Sequence, residues 1–593
     1  MTQVHEHAPN PQFVRTNWID LTGTWTFRYD DDNVGLQSGW WAQDFGDDSL
    51  EIIVPFPPES SLSGIGDTSF HPVVWYQRPL PHIPANAADT TLLRFGAVDY
   101  EATVWINDVY VGSHTGGSSP FAIPLSTFWL RSLESPRLTL RVFDDPVSIE
   151  QPRGKQAWTE EPAGIWYKRT TGIWQPVWLE FVPETYIEHI RWVYDAANAG
   201  LDFQVGLNRT PDSPLELTFS LFATDKIDTS TTVEVGERLV SGSIDLSNID
   251  LEACLWSPDS PTLLPTSVST STGDSVSGYV GLRTISLDKD GFAINGKHYW
   301  LRLVLSQGYF PESHYAAPSA AGIRREVELT LALGFNGART HQKAEDPRYL
   351  YWADKLGLLI WGEVGAAYSY SDHAIAALSS EWRELVLRDI NHPSIIAWVP
   401  FNESWGIAEV ATSRSQQDAV RAVYALTNAL DGTRPVIGND GWEHVTTDVF
   451  SLHDYNWDGA ELRSRYSSGK SNDEIASSYS VADKIAAATV ERPLNELPVM
   501  ITEYGGVSFA PSEEDEWYGY GKVTNLQEFE TKYRELTSAL QASGELVGIC
   551  YTQLTDTEQE TNGLLTEHRQ PKLDLETLSA ITRGEKSSTH DQS

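Results

Sequence analysis

The feature that most restricts the fold is a rhythm that begins near residue 284 and persists to about residue 585. Short apolar runs alternate there with stretches of helical period. The runs are HYWLRLVL, GFNGART, GLLIWGEV, SIIAWVPFNE, RPVIGND, DVFSLHDY, LPVMITEY and LVGICYTQL. Between them, Ile323, Val327 and Leu331 share a helix face that ends at Gly334. Trp382, Leu385, Val386 and Ile390 share another, stopped by Asn391-His392-Pro393, and Leu526, Phe529, Tyr533, Leu536 and Leu540 a third, stopped by Gly544. Eight strands alternating with helices predict a (β/α)8 TIM barrel over 284–585.

The chain ahead of the barrel has a different texture. Aromatic and β-branched runs such as TGTWTFRYDD, VVWYQRPL, EATVWINDVYVGS and RLTLRVFDD, separated by turn residues, predict an all-β jelly roll over 1–185. Asn107-Asp108 tolerates positive φ and marks a hairpin between Val104-Trp105-Ile106 and Val109-Tyr110-Val111. Strands that alternate more regularly, including LDFQVGLN and LELTFSLFAT, predict an immunoglobulin-like β-sandwich over 186–283. The polar end at 586–593 reads as a disordered tail.

In such a barrel the reacting groups stand at the C-terminal ends of the strands. The run Ile395–Phe401 stops at Asn402-Glu403, and Val499–Thr502 stops at Glu503. These are the fourth and seventh strands, which face each other across the mouth. Two opposed carboxylates can cleave a glycosidic bond, one protonating the leaving oxygen and the other attacking the anomeric carbon. A separation of about 5–5.5 Å retains configuration and about 6.5–9.5 Å inverts it. One such glutamate reads most simply as a solvated rim residue. Two, each closing an apolar run among aromatics, read as a pair.

AWVPFNESWG and VMITEYGG resemble the acid/base and nucleophile signatures of the family 2 glycoside hydrolases, the group of β-galactosidases, β-glucuronidases and β-mannosidases. VPFPPESSLSGIGD, INDVYVGSHTGGSSPF and TTGIWQPVWLE resemble the family's jelly roll, LWSPDSPTLL its immunoglobulin-like part and RDINHPSIIAWVPFNE its fourth barrel strand, so the chain reads as a short three-domain form. The resemblance implies that Glu403 is the acid/base and Glu503 the nucleophile of a retaining double displacement. The charge of Glu503 is expected to raise the pKa of Glu403. By the same resemblance Asn402 meets the sugar 2-hydroxyl, Tyr455 donates to the nucleophile, and Arg339 holds it ionised. His341 reads equally well as a sugar ligand or as a satisfied structural histidine. His453, Asp454, Asn439 and Asp440 lie at strand ends, where sugar-facing and loop-capping roles look alike. Trp166 takes the place where the family often carries an aspartate, either stacking on the sugar or packing between domains.

The family's β-glucuronidases read the substrate carboxylate with an Asn-x-Lys pair, whereas the matching stretch here is Glu560-Thr561-Asn562-Gly563, which leaves Asn562 as a candidate for a neutral sugar. The eighth strand, YTQLTD, lacks the usual tryptophan. The expected activity is therefore an exo-acting, β-galactosidase-like one. β-Mannosidase, β-glucosidase and α-L-arabinofuranosidase activities use the same scaffold, and a catalytically silent carbohydrate-binding protein is the alternative of another class. A formal charge of −40 over 593 residues excludes a phosphate-gripping surface and disfavours anionic sugars. No metal cluster is visible, and two carboxylates need no cofactor. With only Cys254 and Cys550, no charged-then-apolar leader and no long apolar run, the chain is expected to be cytoplasmic, without membrane or nucleic-acid partners. A glycoside substrate and a possible homo-oligomer are the partners expected.

Overall fold

The computed structural model describes residues 6–479, 481, 483–510 and 518–585. The tail expected over 586–593 lies outside the described residues.

Two antiparallel sheets form the first sandwich, a jelly roll. One orders Trp18–Asp20, Val177–Val182, Thr90–Phe95 and Phe121–Ser126; the other orders Leu50–Val54, Gly23–Tyr29, Val73–Pro79, Arg137–Phe143, Glu101–Ile106 and Val109–Thr115. The register explains the core. Leu138, Leu140 and Val142 sit opposite Ile106, Val104 and Ala102, so alternate residues of both strands turn the same face inward and are buried together. Asn107 turns the expected hairpin with φ 53°.

The second, immunoglobulin-like sandwich packs the sheet Ile187–Asp195, Gly200–Leu207, Leu239–Asp245 on the sheet Lys226–Val233, Leu215–Phe222, Leu264–Thr270, Ser275–Val280. Leu215, Leu217, Phe219 and Leu221 are buried and the residues between them are not, which is the alternation a one-sided sheet requires. Phe219 stacks on Phe203 of the opposite sheet at 4.1 Å. Asn391, in the turn that ends the barrel helix Asp372–Asp389, ties this sandwich to the barrel by accepting from Trp192 N and donating to Ile190 O.

The barrel sheet is parallel, in the order Ile395–Val399, Leu359–Glu363, Gly337–Thr340, Leu301–Ser306, Leu546–Thr552, Val499–Gly505, Phe450–His453. Its interior is filled by Leu303, Leu305, Trp361, Ile396, Ala397, Met500 and Cys550, and the hairpin residues Phe292 and Ile294 belong to the same cluster. One expected strand is corrected. RPVIGND is not a continuous strand: it meets the fourth strand only through the bridges Trp398–Val436 and Asn402–Asp440. Toward the sixth strand, Val436 N and Gly441 N donate to side chains, Asp448 Oδ2 and Ser451 Oγ, and the backbone bonds Asp448 N to Val436 O and His453 N to Gly441 O stand apart, so no continuous ladder forms there.

The helices start where side chains cap them. Ser319 accepts from Gly322 N ahead of Ala320–Ala332, and Asn525 accepts from Glu528 N ahead of Leu526–Gln541. Among the described residues, no helix is long and apolar enough to cross a membrane, and Cys254 and Cys550 are free and buried.

Candidate active site

Arg339 organises the cup at the strand ends. Carried on the second strand and fully buried, it donates from Nη1 to Glu503 Oε1 (3.0 Å) and Thr502 O (2.9 Å), and from Nη2 to Asn402 Oδ1 (2.6 Å). Nη1 also lies 2.9 Å from Asp440 Oδ2, and Nε donates to Glu363. Burial alone would lower the affinity of this guanidinium for its proton, but Asp440, Glu363 and Glu503 outweigh it and hold its pKa well above the ordinary value. Asp440 responds in the opposite sense. Burial raises its pKa, yet Arg339 and His453 bring it far below the usual carboxylate range. For Glu363 burial prevails over the guanidinium, and its pKa is raised.

Glu503 is thereby fixed at both oxygens. Arg339 holds Oε1 and the Tyr455 hydroxyl donates to Oε2. Burial and the charge of Glu503 keep the Tyr455 phenol protonated, its pKa well above the ordinary value, so it remains a donor. The Tyr455 ring stacks on Tyr520 at 3.4 Å.

Glu403 is turned into the cup by an unusual backbone. Glu403 and Ser404 have φ 53° and 58°, successive left-handed conformations that cost non-glycine residues on the order of 1–3 kcal/mol each. Side chains compensate. Asn439 accepts from Ser404 N (3.0 Å), Glu443 accepts from the Ser404 hydroxyl (2.6 Å), and Glu403 N donates to Asp440 O (2.9 Å). One oxygen of Glu403 then lies within 4.8 Å of one of Glu503.

Two expectations meet an environment the sequence did not show. His453 is wholly buried, with Nδ1 2.8 Å from Glu403 Oε1 and Nε2 3.3 Å from Asp440 Oδ2 and 3.5 Å from Glu503 Oε1, so both nitrogens are engaged by carboxylates. Burial disfavours the imidazolium, but these three carboxylates overcome it and push its pKa up to about 10. The expected rise in the pKa of Glu403 is not found. Burial pushes that carboxyl up, but the hydrogen bond and charge of His453, with Lys155 and Arg339 behind it, bring it below the ordinary value. The acid's proton therefore resides on the Glu403–His453 pair.

A pH dependence follows. The pair loses its proton only as pH rises through the raised pKa of His453, about 10, so kcat/KM should fall on that alkaline side. His453→Asn removes the imidazolium and leaves Glu403 alone to hold the proton, so the alkaline limb should move to lower pH. A pH–rate profile of the variant that superposes on the parent's would contradict this.

The remaining candidates sort by their partners. Asn402 spends its oxygen on Arg339 and leaves its buried NH2 without a partner, a donor that a sugar hydroxyl would satisfy. His341 Nδ1 lies 3.2 Å from both Arg339 Nη2 and Glu363 Oε2, and burial, then Lys155 and Arg339, hold it neutral. Asn562 is buried, donates to Glu560 Oε1 (3.3 Å) and keeps an unpartnered Oδ1. Asp440 and Asn439 are structural, and so is Asp454, which accepts from Arg465 and from the Tyr466 hydroxyl. Trp166 lies in an aromatic cluster with Trp158, Tyr368 and Trp405. Glu403, His453 and Glu503 also have the spacing of a metal site, but Arg339, Tyr455 and Asp440 already engage their free atoms.

Three residues escaped sequence reasoning, and a fourth, Glu560, was legible only as a departure from the Asn-x-Lys pair. Glu363 closes the apolar run of the third strand as Glu403 closes the fourth, so the same signal was available for it. Lys155 comes from the first sandwich, in an arm held against the barrel by Arg153 N and Gly154 N, both donating to Ala366 O. Gly154, at φ 58°, has no room for a Cβ, which would come 2.5 Å from Gln342 O. Lys155 is buried, its ammonium makes no hydrogen bond or ion pair among the described residues, and its charge acts on Glu403, His341 and Glu560. Glu560, which accepts from the Tyr167 hydroxyl, and Trp405, whose Nε1 donates to Glu403 Oε2 (3.3 Å), complete the set. Nothing in the local sequence marks Lys155 or Trp405 as part of the site.

The family model for the TIM barrel domain of the family 2 glycosyl hydrolases matches residues 285–583, and that for their sugar binding domain matches 19–177. A β-glucuronidase from Canis lupus familiaris is 26% identical over 72% of this chain and 69% of its own length. A β-galactosidase from Thermoanaerobacterium thermosulfurigenes is 26% identical over 65% of this chain and 53% of its own. Among solved structures, a β-galacturonidase from Eisenbergiella tayi superposes with TM-score 0.74 at 18% identity, covering 97% of this chain and 98% of that one.

Proposed function

Because the chain belongs to glycoside hydrolase family 2, and is a glycosidase, we propose that it releases a terminal neutral sugar, β-galactosidase-like, through a covalent glycosyl-enzyme on Glu503. The observation that carries this reading is the pair of carboxylates within 4.8 Å, the nearer to the retaining geometry, with one of them fixed at both oxygens by Arg339 and Tyr455.

Glu503 attacks the anomeric carbon as the Glu403–His453 pair gives its proton to the leaving oxygen. Covalent bonding removes the charge of Glu503, and Glu403 then takes a proton from the water that hydrolyses the intermediate. Asn402 donates to the 2-hydroxyl throughout. Glu560 and Asn562, in place of an Asn-x-Lys pair, support a sugar without a carboxylate.

A second reading, a β-uronidase, draws on one observation, the unpaired ammonium of Lys155 beside Glu560. A panel of nitrophenyl glycosides decides between them: β-D-galactoside, β-D-glucoside, β-D-mannoside, α-L-arabinofuranoside and the β-D-uronides. Release from the galactoside, with the β-anomer as the first product by NMR, is expected. Release from the uronides alone, or the α-anomer first, overturns the proposal.

A further inference from the structure

The cup has one aromatic wall whose composition the chemistry of bond cleavage does not require. Trp158 and Trp166 come from the arm of the first sandwich, Tyr368 from the loop after the third strand, and Trp405 from the turn after Glu403. Their ring centroids lie 4.7–5.7 Å apart: Trp158 to Trp166 4.8 Å and to Tyr368 4.7 Å, Trp166 to Trp405 5.7 Å, Tyr368 to Trp405 5.2 Å. Several meet edge to face, an arrangement that does not cover both faces of each ring.

All four are only half-buried. Large rings that share a patch and retain exposed surface mark a contact site more often than they mark surface at random. The patch is also held rigid, because Gln559 donates to Gly164 O (2.8 Å) and Trp166 O (2.9 Å), and the Tyr368 hydroxyl donates to Gly154 O (2.6 Å). A preformed platform loses little freedom on binding.

Its place beside the acid assigns its ligand. Glu403 has two oxygens, and Oε1 is taken by His453. The carboxyl position left open to a leaving group is that of Oε2, beside the indole of Trp405, and rotation of the carboxyl carries the pair's proton there. A leaving oxygen must come within about 3 Å of Oε2, so whatever it carries comes to rest against Trp405 and the rings packed on it.

We propose that Trp405, Trp166, Tyr368 and Trp158 form the binding site for the leaving group, and that it selects an aglycone with a flat apolar face, an aryl group or a second pyranose. This rests on Glu403 being the acid, and its test is built to fail separately from that reading. Glycosides of the sugar that the panel identifies are compared with four leaving groups: nitrophenol, a second hexose, methanol and fluoride. Methanol needs the acid but carries no ring, and fluoride needs neither.

In Trp166→Ala, which removes a ring that touches neither carboxylate, kcat/KM for the aryl glycoside and the disaccharide should fall roughly tenfold, while the methyl glycoside and the fluoride change less than threefold. Trp166→Phe should restore most of the loss. A drop limited to one of the two ring-bearing substrates identifies the natural aglycone class. Equal losses on all four substrates would mean that the ring only supports the fold or the bound sugar, and no loss on any would mean that the wall is idle; either outcome overturns the assignment. If the parent cleaves none of the four, the functional reading itself has failed.

Discussion

Replacing Glu503 with alanine should abolish turnover of every substrate, with kcat down by roughly 10⁴-fold or more. No other group can replace it. Arg339, Tyr455 and His453 all direct N–H or O–H groups at its oxygens, so removing it leaves a cavity lined by donors and no second nucleophile. That arrangement gives the experiment a sharper readout than loss of activity. Azide can occupy the space vacated by the carboxylate and attack the anomeric carbon from the same side, so the Ala variant with azide should form a glycosyl azide of inverted configuration. Glu403→Ala should behave differently: it keeps the nucleophile, so a glycosyl fluoride or dinitrophenyl glycoside still forms the glycosyl-enzyme, and azide then resolves it with retained configuration. Near-native hydrolysis by the Glu503 variant, or the same azide product from both variants, would refute the assignment of roles.

Arg339→Met should cost both activity and stability. Its guanidinium is buried among Glu363, Asp440 and Glu503, and methionine fills much of the same volume without any of the charge. Removing one partner of a buried ion pair typically costs about 3–5 kcal/mol, because the charges left behind have lost both water and partner. Asp440, which Arg339 holds strongly acidic, would be left with His453 as its remaining cation. A fall in the thermal midpoint on the order of 10 °C is expected, together with loss of turnover as Glu503 and Asn402 lose their shared anchor. Arg339→Lys restores the charge but not the planar fork that spans these acceptors, so stability should recover further than activity. A Met variant that melts within about 2 °C of the parent would show that the network tolerates an empty centre.

How much of the site was legible depended on where its information lies. Glu403 and Glu503 could be read because each ends an apolar run, and alternation of strands and helices brings all such ends to one face. Asn402 and Tyr455 could be read from the same motifs. Those motifs do not reveal what else stands beside a side chain. For His453 a sugar-facing and a loop-capping role look alike in the sequence; in the fold both of its nitrogens meet carboxylates from other strands. The pKa of Glu403 was misjudged for the same reason, since the nearby anion was visible in the sequence and the imidazolium was not. RPVIGND forms only isolated bridges because an apolar run specifies burial, while a ladder also needs a neighbour that keeps register over several residues.

The sequence by itself determined the periodic parts of this protein: a helix or strand repeats its burial every few residues, so its pattern is written along the chain, and with it the two sandwiches, the barrel and the positions of the two carboxylates. Only the tertiary structure decided the proton on the Glu403–His453 pair, the convergence of three acids on Arg339, and the arm that brings Lys155 and Trp166 from the first sandwich to the barrel mouth. Charge and stacking act over a few ångströms in space, and residues more than 200 positions apart along the chain, such as Trp166 and Trp405, have no local pattern that records their meeting.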